Sequence, residues 1–112
     1  MKKVEAIIRP SKLEEIKSAL AKFDINGLTI TQVMGCGKQK GKTEIYRGAI
    51  FELKLLQKLK IEIITSDKNV DEIIKIISET AKTGEIGDGK IFVYNIEDVI
   101  RIRTGERGDT AI

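Results

Sequence analysis

Histidine and tryptophan are absent from this chain, and cysteine and proline occur once each, as Cys36 and Pro10. Without histidine there can be no Ser-His-Asp triad, no His-zinc site and no imidazole acid–base chemistry. A single cysteine excludes a disulfide framework and a multi-cysteine metal site. No apolar run approaches the ~20 residues that cross a bilayer, and the first residues do not read as a secretory signal, so a cytoplasmic protein is expected. A strong excess of one charge is missing too: 20 Lys and Arg face 17 Asp and Glu, a net +3. That balance is compatible with an anionic ligand, but a solvated Lys/Glu surface explains it more simply.

What is present fits one domain of 112 residues, large enough for a core but too small for a separate substrate module. Residues 2–9 alternate and end in Ile7-Ile8, a strand stopped by Pro10. Ser11 and Glu14 have the spacing of a capping box, and Leu13, Ile16, Leu20 and Phe23 then recur at helical spacing until Asn26-Gly27. Leu28 to Met34 reads as a second strand, with Thr29 and Thr31 on one face and Leu28 and Ile30 on the other. Residues 58–65 read as a third strand. Asn69 and Glu72 form a weaker cap for a helix with the stripe Val70, Ile73, Ile74, Ile77 and Ala81, and Lys90 to Ile96 reads as a fourth strand.

The two halves resemble each other. Val4-Glu5-Ala6-Ile7 aligns with Ile61-Glu62-Ile63-Ile64, and Leu13-Glu14-Glu15-Ile16 with Val70-Asp71-Glu72-Ile73, both at an offset of 57 residues (61 − 4 and 70 − 13). A doubled βαβ of this size predicts an α+β, ferredoxin-like split βαβ fold (βαββαβ), an antiparallel four-stranded sheet with both helices on one face. Ile91 and Val93 alternate with Phe92 and Tyr94, and Ile63 adjoins Ile64. The strands therefore read as apolar on both faces, and an oligomer is expected to cover the second one.

Two segments carry the chemistry. TGEIGDGK, Thr83 to Lys90, packs three glycines, two acids and a lysine into one loop, and Arg101 and Arg103 follow. Glycine lets backbone N–H groups crowd around an anion and the cations neutralise it, so the loop reads as a phosphate cradle. Gly84, four residues, then Gly89-Lys90 satisfies most of the P-loop pattern, but Ile91 stands where Mg²⁺ needs a hydroxyl. The loop also runs from helix to strand, the reverse of a P-loop. The second segment, Gly35 to about Gln57, is longer than a hairpin requires and rich in glycine and lysine, which reads either as functional or as a flexible basic linker. Its Gly35-x-Gly37 is no dinucleotide fingerprint, because the third glycine would fall at Lys40.

The pieces GKQKGKTEIYRGA, KLKIEI, TGEIGDGKIFVY and VIRIRTGERG occur in order and at matching spacing over nearly the whole chain. In these the chain resembles the PII signal-transduction proteins, specifically GlnK-like nitrogen regulators. The resemblance implies one PII-like domain over residues 1–112: a T-loop at about 37–54 between strands two and three, the phosphate loop at 83–90, and a basic strand and tail at 97–112. It implies a homotrimer with ATP or ADP between subunits. Thr29 and Ile64 match positions near adenine and ribose. Gly87, Asp88, Gly89 and Lys90 match the phosphate loop, and Arg101 and Arg103 the pair that reaches phosphates across the subunit boundary. Gly37, Lys38 and Gln39 belong to the same nucleotide set.

With Mg-ATP bound, the resemblance implies 2-oxoglutarate binding by Gly37, Gln39, Lys40, Gly41, Lys58 and Gly87, with Gln39 lending an oxygen to Mg²⁺. Hard Mg²⁺ held mainly by phosphates and few protein groups is chemically sensible. The implied function is a nitrogen- and energy-status sensor, not an enzyme, whose T-loop blocks an ammonium transporter of the Amt type and withdraws when Mg-ATP and 2-oxoglutarate bind. Arg47 matches the residue placed in the channel exit, so the protein would be cytoplasmic and recruited reversibly to the membrane without inserting in it. Phe51 stands at the position where many relatives carry a uridylylated tyrosine, so no such modification is expected.

Read by themselves, Lys58 and Lys60 also suit strand charges that deter aggregation, and Arg101 and Arg103 a solvated strand face. A small ATPase or phosphotransferase could use the same glycine loop, yet no base to position a nucleophile is evident beyond Glu85 and Asp88. An RRM-like RNA-binding module shares the element order, but GKIFVY lies on the wrong strand for its aromatic platform, and no nucleic acid partner is expected.

Overall fold

The alternation of the first strand is also its three-dimensional logic. The structure, a computed structural model, describes residues 1–25, 27–38 and 53–112. Strand β1 spans Lys2–Ile8, helix α1 Leu13–Lys22, β2 Thr29–Lys38, β3 Leu53–Thr65, α2 Val70–Ala81 and β4 Lys90–Asn95. The strands pair antiparallel in the order β2-β3-β1-β4, as the ferredoxin-like expectation requires. Val4, Ala6 and Ile8 of β1 and Ile61 and Ile63 of β3 point to one face and are at most 1% exposed. Ile16 and Leu20 of α1, and Val70, Ile73, Ile77 and Ala81 of α2, close over them as one core. The repeated segments are neighbours: Val4 opposes Ile63 and Ala6 opposes Ile61.

The other face departs from expectation. In antiparallel pairs opposed residues share a face, so Lys3, Glu5, Lys60 and Glu62 occupy the middle of the open side. Lys3 bridges Glu5 at 3.7 Å and Glu62 at 3.4 Å, and Lys60 reaches Glu62 at 3.9 Å. Tyr94 donates to Glu5 at 3.1 Å, and the Lys3 ammonium sits 4.3 Å from its ring centroid. The open face is thus mixed, a charged centre flanked by Ile7, Ile64, Phe92 and Tyr94, not the apolar face expected. Exposed apolar side chains of the sheet lie on both edges, in Phe92, Val93 and Tyr94 of β4 and in Ile30 and Met34 of β2, with Leu55 on β3.

Local signals moved as well. Pro10 opens a 3-10 turn over Pro10–Lys12, which places Ser11 inside the turn, and no side-chain cap forms with Glu14. Asn69 is the N-cap of α2, but its amide reaches Ser66 Oγ at 3.4 Å and no helix N–H is capped by a side chain. Helix α1 ends at Lys22, before the expected Asn26-Gly27. Asp24 adopts φ 64°, and the N–H groups of Asp24 and Ile25 close on Ala21 and Leu20, a Schellman ending that tucks Ile25 against the core. Strands β2 and β3 run further than read, because Gly35 to Lys38 pair with Leu53 to Leu56. At the other end, the expected C-terminal strand is reduced to a single bridge, Ile100 with Arg107, followed by a 3-10 turn over Gly108–Ala111.

Candidate functional site: the glycine loop and its surroundings

The loop between α2 and β4 runs from helix to strand, as its sequence implied. It turns on glycines with positive φ: 88° at Gly84, 102° at Gly87 and 101° at Gly89. At Gly89 the requirement is absolute, because a Cβ there would lie 1.7 Å from the Ile7 carbonyl oxygen. The loop therefore lies directly on the end of β1.

Asp88 organises the loop from within. Oδ2 accepts the N–H groups of Thr83 and Gly84, each at 2.9 Å, while Oδ1 accepts the Thr83 hydroxyl at 2.5 Å and Arg9 Nε at 3.3 Å. The Thr83 hydroxyl in turn accepts the Glu85 N–H at 3.1 Å. These donors, led by the Thr83 hydroxyl, hold the Asp88 carboxyl far below the usual carboxylate range. The N–H groups of Ile86, Gly87, Asp88 and Gly89 find no acceptor among the described residues, and Lys90 is exposed beside them. Such a group can take an anion.

Two cations hold the carbonyl side. Arg9 Nη2 donates to Ile86 O at 2.9 Å and Lys58 Nζ to Gly87 O at 2.5 Å. Burial, and then the neighbouring Arg9, push the Lys58 ammonium pKa down, with Asp88 opposing. Lys58 and Gly87 were read as parts of one site, and the fold brings them into contact. Arg9 and Thr83 carried no expected role. A lone arginine at a strand end gives no sequence signal, whereas Thr83 stood inside the motif.

The remaining expected residues lie elsewhere. Thr29 and Ile64 share a cleft of about 530 Å³ with Asp24, Glu62, Val99 and Ile112. Thr29 pairs with Glu62 at the β2 edge, while Lys90 opens β4 opposite Ile7. Strand spacing and rise put Thr29 and Lys90 roughly 15 Å apart, on opposite edges of the sheet. Arg101 is folded back on its own segment: Nη1 meets Glu106 at 3.3 Å and Nη2 donates to the Ile112 carbonyl at 3.3 Å. Arg103 is exposed in the adjoining turn. Gly37 and Lys38 are described as backbone at the end of β2, and Gln39, Lys40, Gly41, Arg47 and Phe51 lie outside the described residues.

Among the described residues no three His, Cys, Asp or Glu side chains converge as a metal cage, and no helix is long and apolar enough to cross a membrane.

Comparison with known proteins is unambiguous. The family described as "Nitrogen regulatory protein P-II" matches residues 1–106. The chain is 55% identical to the nitrogen regulatory protein P-II of Pasteurella multocida (strain Pm70), and 54% identical to nitrogen regulatory protein P-II 1 of Escherichia coli (strain K12). Each match runs over 112 residues and all of both chains. Among solved structures, B. subtilis GlnK superposes with a TM-score of 0.84 at 46% identity, covering 99% of this chain and 97% of that one. The B. subtilis GlnK-ATP complex gives 0.84 at 42% identity, covering 99% and 94%.

Proposed function

Because this chain belongs to the nitrogen regulatory protein P-II family, we propose that it is a homotrimeric sensor of ATP or ADP and, with Mg-ATP, of 2-oxoglutarate. The observation that carries the reading is the split of the expected nucleotide set. Thr29 on edge strand β2 and Ile64 on its neighbour β3 share one cleft, while the glycine loop with Lys90 lies at the opposite, β4 edge. A nucleotide joining them within one subunit would have to lie across the charged Lys3, Glu5 and Glu62 centre of the open face, whereas a neighbouring copy can supply the missing half. Exposed Phe92, Val93 and Tyr94 on the β4 edge fit contact with such a copy. Nucleotide binding is further supported by the 42% identical GlnK-ATP complex.

In this reading the N–H groups at Gly87, Asp88 and Gly89, with Lys90, hold the phosphates, and Arg101 and Arg103 swing out to reach the neighbour's nucleotide. Lys58 and Gly87, already in contact beside Arg9, form the base of the 2-oxoglutarate site. Gly37, Lys38, Gln39, Lys40 and Gly41 complete the ligand shell. Mg²⁺ would take most of its oxygens from phosphates and 2-oxoglutarate, with Gln39 as the protein donor. The T-loop, with Arg47 at its tip, blocks an Amt-type ammonium transporter at the cytoplasmic membrane face. Ligands that favour another loop shape release it. Phe51 removes uridylylation as a control, and the role is regulatory rather than enzymatic.

Calorimetry with 2-oxoglutarate tests this directly. Binding is expected only in the presence of Mg-ATP and is expected to vanish in Gln39→Ala. Equal binding without nucleotide overturns the reading. Co-purification with an Amt-type channel, lost in Arg47→Ala, checks the partner.

A further inference from the structure

An acid in a phosphate loop is a paradox, because its charge opposes the ligand. Asp88 resolves it by geometry. A carboxylate offers about four acceptor positions. Here all four are filled from inside the protein, by the Thr83 N–H, the Gly84 N–H, the Thr83 hydroxyl and Arg9 Nε. The charge faces inward and is matched by the Arg9 guanidinium.

These bonds also sort the donors of the loop. Thr83 and Gly84 give their N–H groups to the Asp88 carboxylate, and Glu85 gives its own to the Thr83 hydroxyl, whereas Ile86, Gly87, Asp88 and Gly89 keep theirs. Glycines at 84, 87 and 89 make the backbone permissive, so without a cross-link the free donors would sample many directions. We propose that the Asp88 carboxylate and the Thr83 hydroxyl form a positioning bracket that holds the glycine loop in its anion-binding shape before any nucleotide arrives. The bracket touches no ligand. It rests on the nucleotide-binding reading above and adds to it a role for two side chains.

The sign of one effect separates positioning from simple electrostatics. If Asp88 acted mainly as a nearby negative charge, Asp88→Asn would tighten ATP binding by removing repulsion. As a bracket, the residue loses half of its acceptors in Asn and confronts Arg9 with an NH₂ group, so binding weakens. We expect ATP affinity, by calorimetry on the full chain with Mg²⁺, to fall about tenfold in Asp88→Asn, the loss of one or two charge-assisted hydrogen bonds. Thr83→Val, which keeps the shape but drops the hydroxyl, should also weaken binding, and Thr83→Ser should restore it. The double variant Thr83→Val with Asp88→Asn should lose less than the sum of the two. Amide NMR of the nucleotide-free protein should show altered Gly87 and Gly89 resonances in Asp88→Asn, with the melting temperature near wild type. Unchanged or tighter ATP binding in a folded Asp88→Asn overturns the bracket. Absence of ATP binding in the wild type overturns the nucleotide reading itself, a separate outcome.

Discussion

The two faces of the sheet are built from the same strands, one residue out of step, and they have opposite physics. On the helix side, Val4, Ala6, Ile8, Ile61 and Ile63 are sealed from water beneath α1 and α2. On the open side, Lys3, Glu5, Lys60 and Glu62 form a ladder of ion pairs joined to Tyr94. Dispersion and apolar burial hold the first face, and they depend on shape. The second gains little for the isolated chain, because half-exposed ion pairs nearly repay their own desolvation. The helix face therefore carries stability, and the open face and its ends are the parts that the proposed function assigns to ligands and neighbouring copies.

The comparison breaks most visibly in the core. Ile73→Ala, at a position with no exposure, should lower unfolding free energy by about 3 kcal/mol, read from the denaturant midpoint. A loss well under 1 kcal/mol would mean that α2 is not held as described. Next comes Gly89→Ala, at the end of the sheet where the faces meet. Its Cβ would run into the Ile7 carbonyl at φ 101°. We expect roughly 2 kcal/mol of destabilisation, together with the loss of ATP binding by calorimetry. On the open face, Glu62→Gln should leave the denaturant midpoint within error of wild type, in contrast to Ile63→Ala at the next position of β3. A core-sized loss there would erase the distinction between the faces.

The smallest effect concerns pH. Asp88 and Asp98 both have folded pKa values below their ordinary range, the first through Thr83, the second through Arg107. For a lowered carboxylate, the stabilising contribution is complete above the unfolded value near 4 and is lost as pH falls through the folded one. The Thr83 and Gly84 amide resonances should therefore hold steady as pH falls from 7 through about 4, where an ordinary aspartate titrates. A titration of either within that window would show that Asp88 is not bracketed.

Much of the fold was legible because periodicity and burial share one cause. The 57-residue repeat, the α2 stripe and the β1 alternation all emerge as core positions. Ile63 and Ile64 do fall on opposite faces, but the charged centre of the open face escaped the reading because it is set by register. Only pairing reveals that Lys3, Glu5, Lys60 and Glu62 stand together. The helix ends failed for a related reason. Ser11 had the right spacing for a cap, but Pro10 committed the backbone to a turn one residue earlier, and Asp24 took the left-handed position expected near Gly27.

At the glycine loop the division is clearest. Residue chemistry alone marked Thr83 to Lys90 as a candidate anion loop distinct from a P-loop, because glycine freedom and the Ile91 side chain are properties of single residues. The family, too, was readable from motifs in order. The positions of Arg9 and Lys58 on the loop carbonyls, and the four donors around Asp88, were decided only by tertiary structure. Those contacts join residues up to 79 positions apart, and no local pattern encodes a meeting that depends on how strands pair. The same holds for the separation of Thr29 from Lys90, a distance fixed by strand order.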